Sequence, residues 1–467
     1  MMKLRYVSLV ITLSLFSVFI LLLTHIETIR IANNIIQDTR GTPFRSPGAY
    51  LSALKPAQSA KGYCHLNFAL PTELIYSEKN VSGTPELGQE SPFRVLYNVV
   101  EGRLGDAEPQ VTYVTHLTND FIFYLPEVVS YWEGPISVAV YLPDGDPNFI
   151  LEHILHFCYC VPGMSRLSLH LVFRKDFRPT YHSNKIMPPL TCDTRGLNKL
   201  QKSLKNSNHN GNTNKGKNEG YLIFFSNLNF INFCCYSALD NWYPINVCRN
   251  AARQKSYTDY VMVCDTELMP SQGLASRFID MTESYKCQES LQECKKRAFV
   301  IPVFEVESTE AIPKVKNELV QLIILEKAVY FHQFICGHCQ KFPGLEQWIE
   351  SDPGDVIRPL IETKREFPYQ RWEPIYIGTK HEPMYFEKLS WEGFQDKMLQ
   401  MLEMCLAGYK LIVLDGAFLV HWPGIKMAKR KDEPWRLPYV KQNQKSYNKL
   451  LNNITKKYHE NSKCHSK

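Results

Sequence analysis

Apolar and polar positions along the first half of the chain alternate in blocks that predict strands and helices in turn. The block at 111–115 (VTYVT) is rich in β-branched residues, which favours a strand. The predicted elements that follow, in chain order, are a helix at 121–132 interrupted by Pro126, a strand at 136–141, a helix at 150–158 and a strand at 167–173. This alternation is typical of a parallel sheet with crossover helices, so we expect an α/β fold.

The same pattern resumes in the second half of the chain. Its predicted elements are helices at 243–253, 316–330 and 397–407, and strands at 260–264, 298–304, 375–377 and 411–414. The strand at 260–264 (YVMVC) is almost entirely apolar, as expected of a central strand covered on both faces. It leads directly into Asp265, which we therefore place at the carboxyl edge of the sheet.

An uncharged apolar run at 6–23 precedes the folded region. Its 18 residues, at 1.5 Å each in a helix, nearly span a bilayer core. A cleaved signal peptide is the alternative, but its apolar core is usually shorter, so we favour an uncleaved signal anchor. Lys3 and Arg5 precede the run and predict a cytoplasmic tail at 1–5, with the remainder of the chain in the lumen.

The remaining organisation follows from composition. Residues 24–94 hold turn formers with weak periodicity and are expected to form a stem, followed by a catalytic domain at 95–458 and a tail at 459–467. Within the domain, 198–220 is dominated by Asn, Lys, Ser and Gly, so we expect a solvated loop.

Charge and cysteine content restrict the function classes. The 467 residues include 53 Lys and Arg against 47 Asp and Glu. This excess is mild, and several of the positive charges lie in one loop and at the C-terminal end, so it does not indicate nucleic-acid binding. Fourteen cysteines are many for a cytosolic protein and favour disulfides in an oxidising compartment. Sequons at Asn80 and Asn453 predict N-glycosylation and agree with a lumenal location.

Two carboxylates follow the apolar strand at 260–264. Asp265 and Glu267 are separated by one residue, and ligands of open α/β sheets bind beyond the carboxyl ends of strands. Carboxylate oxygens suit Mg²⁺ or Mn²⁺, which can bridge them to a diphosphate. As a bare pattern, a turn and helix cap before Pro270 is the simpler explanation of the two acids.

A second candidate segment is HWPGIK at 421–426. His421 could complete a metal site with the two carboxylates, and Lys426 could neutralise phosphate. Gly424 would allow a ligand to approach the backbone closely.

The order of seven short motifs resembles glycosyltransferase family 49, the β-1,4-glucuronyltransferases of O-mannosyl glycan synthesis and the glucuronyltransferase domain of the LARGE-type enzymes. The motifs are WEGP (132–135), YPINVCRNAAR (243–253), DTELMPS (265–271), KNEL (316–319), CGHC (336–339), WEP (372–374) and FLVH (418–421). Each motif alone is weak evidence for the family. Seven motifs in the family's order are specific, and they favour a functional role for the two carboxylates.

The resemblance implies a type II Golgi membrane enzyme with a GT-A fold, which holds a UDP-sugar and a divalent cation and transfers glucuronate with inversion to a glycan acceptor. Asp265 and Glu267 lie on the family's Asp-any-Asp metal motif, where Glu267 departs from the usual Asp. His421 matches the family's C-terminal His, and other glycosyltransferases are possible partners.

The resemblance also suggests donor contacts. Arg249 and Asn250 lie on the helix before the metal motif, and Thr115 ends the first predicted strand, where such folds hold the nucleoside. Arg249 or Arg253 could pair with the carboxylate of a uronic acid donor.

Inversion requires a base to take the proton of the acceptor hydroxyl, and this base should be separate from the metal ligands. Glu373 precedes Pro374 at the start of a strand and is our first candidate. Glu387 lies beside Phe386, where relatives carry an acid, and is the second.

Two alternatives stay open. Cys336 and Cys339, near His332 and His338, could bind zinc or form a redox pair, although a structural disulfide is the simpler interpretation. The whole chain could also be a diverged sugar-binding or complex-forming paralogue without activity, or a transferase that uses another UDP-sugar.

Overall fold

The computed structural model describes residues 54, 56–57, 62–103, 105, 108–183, 192, 242–285, 294–427, 434–458 and 461–464. The predicted signal anchor at 6–23 and the predicted loop at 198–220 lie outside these ranges. Within them, no helix combines the length and the apolar character needed to cross a membrane.

Strands and helices alternate through the described residues. The strands are β1 (His65–Leu66), β2 (Val81–Ser82), β3 (Phe93–Glu101), β4 (Val111–Leu117), β5 (Ile136–Leu142), β6 (Leu167–Arg174), β7 (Tyr260–Val263), β8 (Leu268–Pro270), β9 (Arg297–Ile301), β10 (Val303–Val306), β11 (Ala328–Tyr330), β12 (Arg358–Thr363), β13 (Ile375–Thr379), β14 (Lys410–Asp415) and β15 (Leu419–His421). The α-helices are α1 (Leu125–Tyr131), α2 (Asn148–Cys160), α3 (Ile245–Gln254), α4 (Leu274–Ser284), α5 (Lys316–Ile324), α6 (Gln333–Gln340), α7 (Leu345–Glu350), α8 (Met398–Leu406) and α9 (Leu437–Lys457).

The larger of two sheets is parallel at its centre. Its strand order is β1-β3-β6-β5-β4-β7-β13-β9-β14-β12, with β2 paired to β3. Strands β6, β5, β4 and β7 are mutually parallel, as is the pair β9 and β14, whereas β13 lies antiparallel between β7 and β9. The predicted α/β fold with a parallel central sheet is confirmed, and antiparallel strands extend the sheet on both sides.

The two faces of this sheet are covered by different elements. Along β4, Tyr113 packs into the main core with α1 and α2, whereas its neighbour Val114 packs against Val247 and Ala251 of α3. Alternate side chains of a strand point to opposite faces, so a strand covered on both faces must be apolar throughout. All seven residues of β4 are buried.

A smaller sheet of four strands, in the order β11-β10-β15-β8, lies beyond the carboxyl ends of the central strands. The chain enters it three times from the larger sheet, through the connections β7 to β8, β9 to β10 and β14 to β15. These three crossings bring segments that are distant in sequence to one edge.

Proline and glycine determine two of these crossings. The predicted single strand at 298–304 is divided at Pro302, which cannot donate a ladder hydrogen bond, so the chain changes sheets there. Gly416 has φ +78°, and a Cβ at this position would lie 2.2 Å from the carbonyl oxygen of Val356. Only glycine fits this turn between β14 and β15.

Three segments differ from the sequence-based expectations. The helix predicted at 316–330 ends at Ile324, because Glu326 turns with φ +58° and Ala328–Tyr330 pairs with β10 instead. The sequence pattern predicts no helix after the one at 397–407, but Leu437–Lys457 forms the 21-residue helix α9.

The third difference concerns the expected stem. Part of it, including β1 and β2, pairs with β3 at the margin of the larger sheet. The disulfide between Cys64 and Cys158 joins this part to α2.

Disulfides connect several distant segments, as the cysteine content suggested. The bridges among the described residues are Cys64–Cys158, Cys160–Cys192, Cys336–Cys339 and Cys405–Cys464. Cys248 and Cys264 are free thiols, both buried.

Candidate active site

The turn between β7 and β8 presents Asp265 and Glu267 at the edge where the two sheets meet. The hydroxyl of Tyr113 donates to the carbonyl of Leu268 at 2.8 Å and to that of Asp265 at 3.1 Å. The Thr266 hydroxyl donates to the carbonyl of His116 at 2.7 Å. Because these bonds tie both ends and the middle of the turn to β4, its two acidic side chains project from a fixed backbone.

The Asp265 carboxylate is surrounded by cationic and imidazole side chains. Its Oδ1 lies 3.4 Å from Arg249 Nη2 and 3.3 Å from His116 Nε2, and its Oδ2 lies 3.8 Å from Lys397 Nζ. Burial alone would raise the pKa of Asp265, but Lys397, His116 and Arg249 together hold it well below its usual range. Asp265 is therefore ionised at neutral pH, and its side chain remains about one-third exposed at 32%.

His421 lies next to the acidic turn although 154 residues separate it from Glu267 along the chain. It belongs to β15, where its register partner in β8 is Leu268. The backbone N–H of Trp422 donates to the carbonyl of Glu267 at 3.1 Å. Burial and the charge of Lys426 lower the pKa of His421 well below its usual range, so its ring is neutral.

The donor atoms of Asp265, Glu267 and His421 do not all lie within 4.8 Å of one another, as those of an assembled metal site would. Among the described residues, only Cys336, His338 and Cys339 place three such atoms within 4.8 Å of each other, and these two cysteines form a disulfide. At Asp265 the ammonium of Lys397 and the guanidinium of Arg249 supply the compensating positive charge. The donor set itself, carboxylates with a neutral imidazole, suits Mn²⁺ or Mg²⁺.

A buried carboxylate that we did not predict as a site residue anchors two loops around this edge. Glu305, in β10, has no exposed surface. Its Oε1 accepts a hydrogen bond from the backbone N–H of His332 at 3.2 Å, and its Oε2 accepts one from the backbone N–H of Lys426 at 3.0 Å. Glu305 thereby fixes the segment that follows His421 and the turn before α6.

We expect Glu305→Gln to destabilise the protein by roughly 1–3 kcal/mol, because the amide nitrogen would face a backbone donor and leave one buried N–H unpaired. Chemical denaturation of the full chain measures this loss. Glu307→Gln, two residues further on and exposed, is the matched control and should leave the unfolding midpoint unchanged. Equal midpoints for both variants would contradict the anchoring role.

The charges around Asp265 also act on Glu373. Its backbone N–H donates to the carbonyl of Cys339 at 3.1 Å, and its side chain is half-buried. Burial raises the pKa of Glu373, and Asp396 adds to the rise, while Lys397 acts against it. The charge of Lys397 therefore acts on both Asp265 and Glu373.

Comparison with known proteins assigns the chain to a family. The profile of the family described as "Glycosyl-transferase for dystroglycan" matches residues 110–459, three-quarters of the chain. The chain belongs to this glycosyltransferase family.

Relatives within the family agree with the resemblance seen in the sequence. Beta-1,4-glucuronyltransferase 1 of Danio rerio is 26% identical over 382 residues, covering 79% of each chain. The Homo sapiens protein of the same name is 25% identical over 314 residues, 67% of each chain. Xylosyl- and glucuronyltransferase LARGE1 of Homo sapiens is 23% identical and covers 67% of this chain but 31% of its own length.

The family resemblance predicts that Thr115 and Asn250 contact the donor and that Glu387 is a candidate base. In the structure, the side chains of all three are buried and form hydrogen bonds within the protein. The Thr115 side chain is fully buried, and its hydroxyl lies 3.0 Å from that of Thr266. Asn250 is also fully buried, and its amide bonds the backbone of Tyr385 and the carboxylate of Glu387. These contacts argue against direct donor binding by Thr115 or Asn250, since the polar atoms already have partners inside the core.

Glu387 is 1% exposed. Its carboxylate accepts hydrogen bonds from the Thr84 hydroxyl, the backbone N–H groups of Glu86 and Leu87, and the Asn250 amide. A general base must reach the acceptor hydroxyl. The arrangement of Glu387 is that of a structural anchor in this glycosyltransferase.

The remaining predicted positions are placed as follows. Arg253 donates to the carbonyls of Pro383, Thr379 and Glu382 and is 2% exposed, so it holds a loop rather than facing the cleft. Gly424 has φ +90°, a conformation that favours glycine whatever the space around it. Asn80 and Asn453 are both exposed, the latter on α9.

Sequence reasoning missed several residues of the site, among them His116, Glu305, Asp396 and Lys397. Glu305 had a visible signal, since a carboxylate between Phe304 and Val306 interrupts an otherwise apolar strand. Asp396 and Lys397 had none, because an Asp-Lys pair at the start of a helix is ordinary surface chemistry.

Proposed function

We propose that this protein is an inverting, divalent-cation-dependent glycosyltransferase that transfers glucuronate from UDP-glucuronate to a glycan acceptor. The observation that supports this most is the placement of the ionised Asp265 and the neutral His421 at one sheet edge, on either side of Glu267. The choice of glucuronate as the transferred sugar rests on the names of the relatives. A GT-A assignment agrees with a ligand edge at the carboxyl ends of parallel strands.

Asp265, Glu267 and His421 would hold the cation. When bound, it would neutralise the diphosphate of the donor and so stabilise the leaving group. Lys426 lies close enough to lower the pKa of Glu267 against the rise that burial causes. Its fixed positive charge would add to the stabilisation of the departing diphosphate.

Glu373 is the proposed base. Inversion requires the acceptor hydroxyl to attack from the face opposite the diphosphate, so the base must lie across the sugar from the metal ligands. Partial burial and a raised pKa suit a carboxylate that accepts a proton near neutral pH.

The proposed setting is the Golgi membrane, with residues 6–23 as a single type II anchor and the catalytic domain in the lumen. The acceptor would be a glycan on a glycoprotein of the O-mannosyl pathway, in keeping with the family description. Four disulfides among the described residues support an oxidising compartment.

A non-catalytic paralogue is the second candidate, favoured by two observations. Glu267 replaces the second Asp of the family's metal motif. At Asp265, Lys397 and Arg249 already compensate the charge that a cation would neutralise.

A donor screen separates the two candidates. The purified full chain is incubated with Mn²⁺, a panel of UDP-sugars and β-linked or O-mannosyl glycan acceptors, and UDP release is measured. We expect the largest acceptor-dependent release with UDP-glucuronate and its loss on chelation. Folded protein that releases no UDP from any donor would favour the paralogue, and preference for a neutral UDP-sugar would reassign the donor.

A further inference from the structure

A uronic acid donor differs from a neutral hexose by an ionised carboxylate in place of a hydroxymethyl group, so a site selective for it needs a cation beside the sugar. The described part of the site contains four cationic side chains that could serve: Arg249, Arg253, Lys397 and Lys426.

The two arginines are committed elsewhere. Arg249 is 2% exposed and directs its guanidinium to Asp396, to the Asn246 amide oxygen at 3.0 Å and to Asp265. Arg253 is occupied by three backbone carbonyls. Buried guanidinium groups with their donors satisfied do not turn toward a ligand without breaking those bonds.

Lys426 belongs to the diphosphate side. Its backbone is bonded to Glu305, its Nζ lies 5.9 Å from the ring centroid of Phe331, and its charge acts on Glu267 and His421. This position beside two of the proposed metal ligands is suited to the diphosphate leaving group.

Lys397 differs from these three. Its Nζ lies 3.8 Å from Asp265 Oδ2, beyond hydrogen-bond distance, and its side chain is 18% exposed. Within the described residues its ammonium has that one contact. Its N–H groups are therefore not occupied by hydrogen bonds, whereas those of the two arginines are.

The backbone beneath Lys397 is held in place. The carboxylate of its neighbour Asp396 pairs with Arg249, and the Asp396 carbonyl accepts a hydrogen bond from Asn246 at 2.9 Å. The Lys397 carbonyl accepts the backbone N–H of Met401 at 3.1 Å, which begins α8. A flexible side chain on a fixed backbone can reach a ligand without disturbing the fold.

The location of Lys397 matches the position of the sugar. In the proposed inverting reaction the sugar must lie between the leaving group, at Asp265, and the base, Glu373. Lys397 Nζ lies 3.8 Å from Asp265 Oδ2 at the leaving-group end of this space, and its charge also acts on Glu373.

We infer that Lys397 binds the carboxylate of the donor sugar and determines the preference for a uronic acid over a neutral hexose. This inference rests on the proposed glucuronyltransferase function. It assigns to Lys397 the contact that the family resemblance suggested for Arg249 or Arg253.

The test measures the binding of three ligands to the purified full chain in Mn²⁺ by titration calorimetry: UDP, UDP-glucose and UDP-glucuronate. For Lys397→Met we expect UDP-glucuronate to bind roughly 10- to 100-fold more weakly, as for loss of a charge-assisted hydrogen bond, with UDP and UDP-glucose within about threefold of the unmodified protein. Lys397→Arg should retain most of the preference. Lys364→Met, at an exposed lysine outside the site, should bind all three ligands as the unmodified protein does.

Three results would overturn the inference, and each has a different meaning. Equal weakening of all three ligands in Lys397→Met would assign Lys397 to the diphosphate or the cation. Unchanged binding of UDP-glucuronate would remove Lys397 from the donor site. An unmodified protein that binds UDP-glucuronate no better than UDP-glucose would refute the proposed donor itself, before any variant is compared. If Lys397→Met does not fold, Lys397→Arg and Lys397→Gln are compared in the same way.

Discussion

Replacing Asp265 with asparagine is expected to lower turnover by roughly 10³-fold or more, the loss that corresponds to several kcal/mol of transition-state stabilisation by a bound cation. Asparagine keeps the shape of the side chain but removes the negative charge that a cation would need. The remaining carboxylate, Glu267, and the neutral His421 would bind Mn²⁺ weakly. Acceptor-dependent UDP release measures the first effect, and titration with Mn²⁺ measures the second.

The fold should survive this change. Arg249 keeps its partner Asp396. The turn that holds Asp265 is tied to β4 by two hydroxyls rather than by the carboxylate: that of Tyr113 donates to the Asp265 carbonyl, and that of Thr266 donates to the His116 carbonyl. Asp259→Asn, at the opposite end of β7 and exposed, is the matched control and should bind Mn²⁺ normally. Retained Mn²⁺ affinity and turnover in Asp265→Asn would refute the proposed metal site.

Glu373→Gln is expected to lower turnover by about 10²- to 10⁴-fold, the usual contribution of general base catalysis, while binding of UDP-glucuronate and Mn²⁺ is unaffected. Glutamine preserves size and hydrogen bonding but cannot accept the proton of the acceptor hydroxyl. Steady-state rates and donor titration together distinguish loss of the base from loss of the donor site. Glu350→Gln, an exposed glutamate on α7, should behave as the unmodified protein.

The stability of these variants provides an independent test. Burial raises the pKa of Glu373, so its ionised form is disfavoured by folding, and this penalty is fully present at a pH above the raised value. Removing the charge should leave the thermal midpoint of Glu373→Gln unchanged or higher at neutral pH. Glu387→Gln should lower it, because the amide nitrogen would face donors that the carboxylate now accepts.

The same raised pKa predicts the pH profile. A base acts in its deprotonated form, so activity should fall as the pH decreases through the pKa of Glu373, above the value of about 4.3 for an ordinary glutamate. The acidic limb should disappear in the residual activity of Glu373→Gln. Near-normal activity in Glu373→Gln with an inactive, folded Glu387→Gln would transfer the role of base to Glu387.

Local sequence patterns were sufficient to predict the class of the fold and the position of Asp265 at the edge of the sheet. Alternating strand and helix patterns depend on side chains near one another in the chain, and so does the apolar strand that ends before Asp265. The order of seven short motifs was enough to indicate the family, because that order can be recognised without knowing which residues are in contact in the folded chain.

Which distant residues come together could be learned only from the folded chain. His421 reaches Glu267 because β15 pairs with β8, and that pairing depends on chain crossings at Pro302 and Gly416 that join the two sheets. Local patterns contain no information on pairing between strands that are far apart in sequence. Register is determined by the packing of the whole sheet.

Tertiary contacts also separated catalytic candidates from structural residues of the same type. Glu373 and Glu387 are both glutamates that directly follow an aromatic residue, and the sequence does not reveal their different environments. In the structure, Glu387 is enclosed by donors from a segment about 300 residues away, whereas Glu373 shares Lys397 with Asp265. The chemistry available to a carboxylate depends on the charges and solvent around it, and folding alone brings those neighbours together.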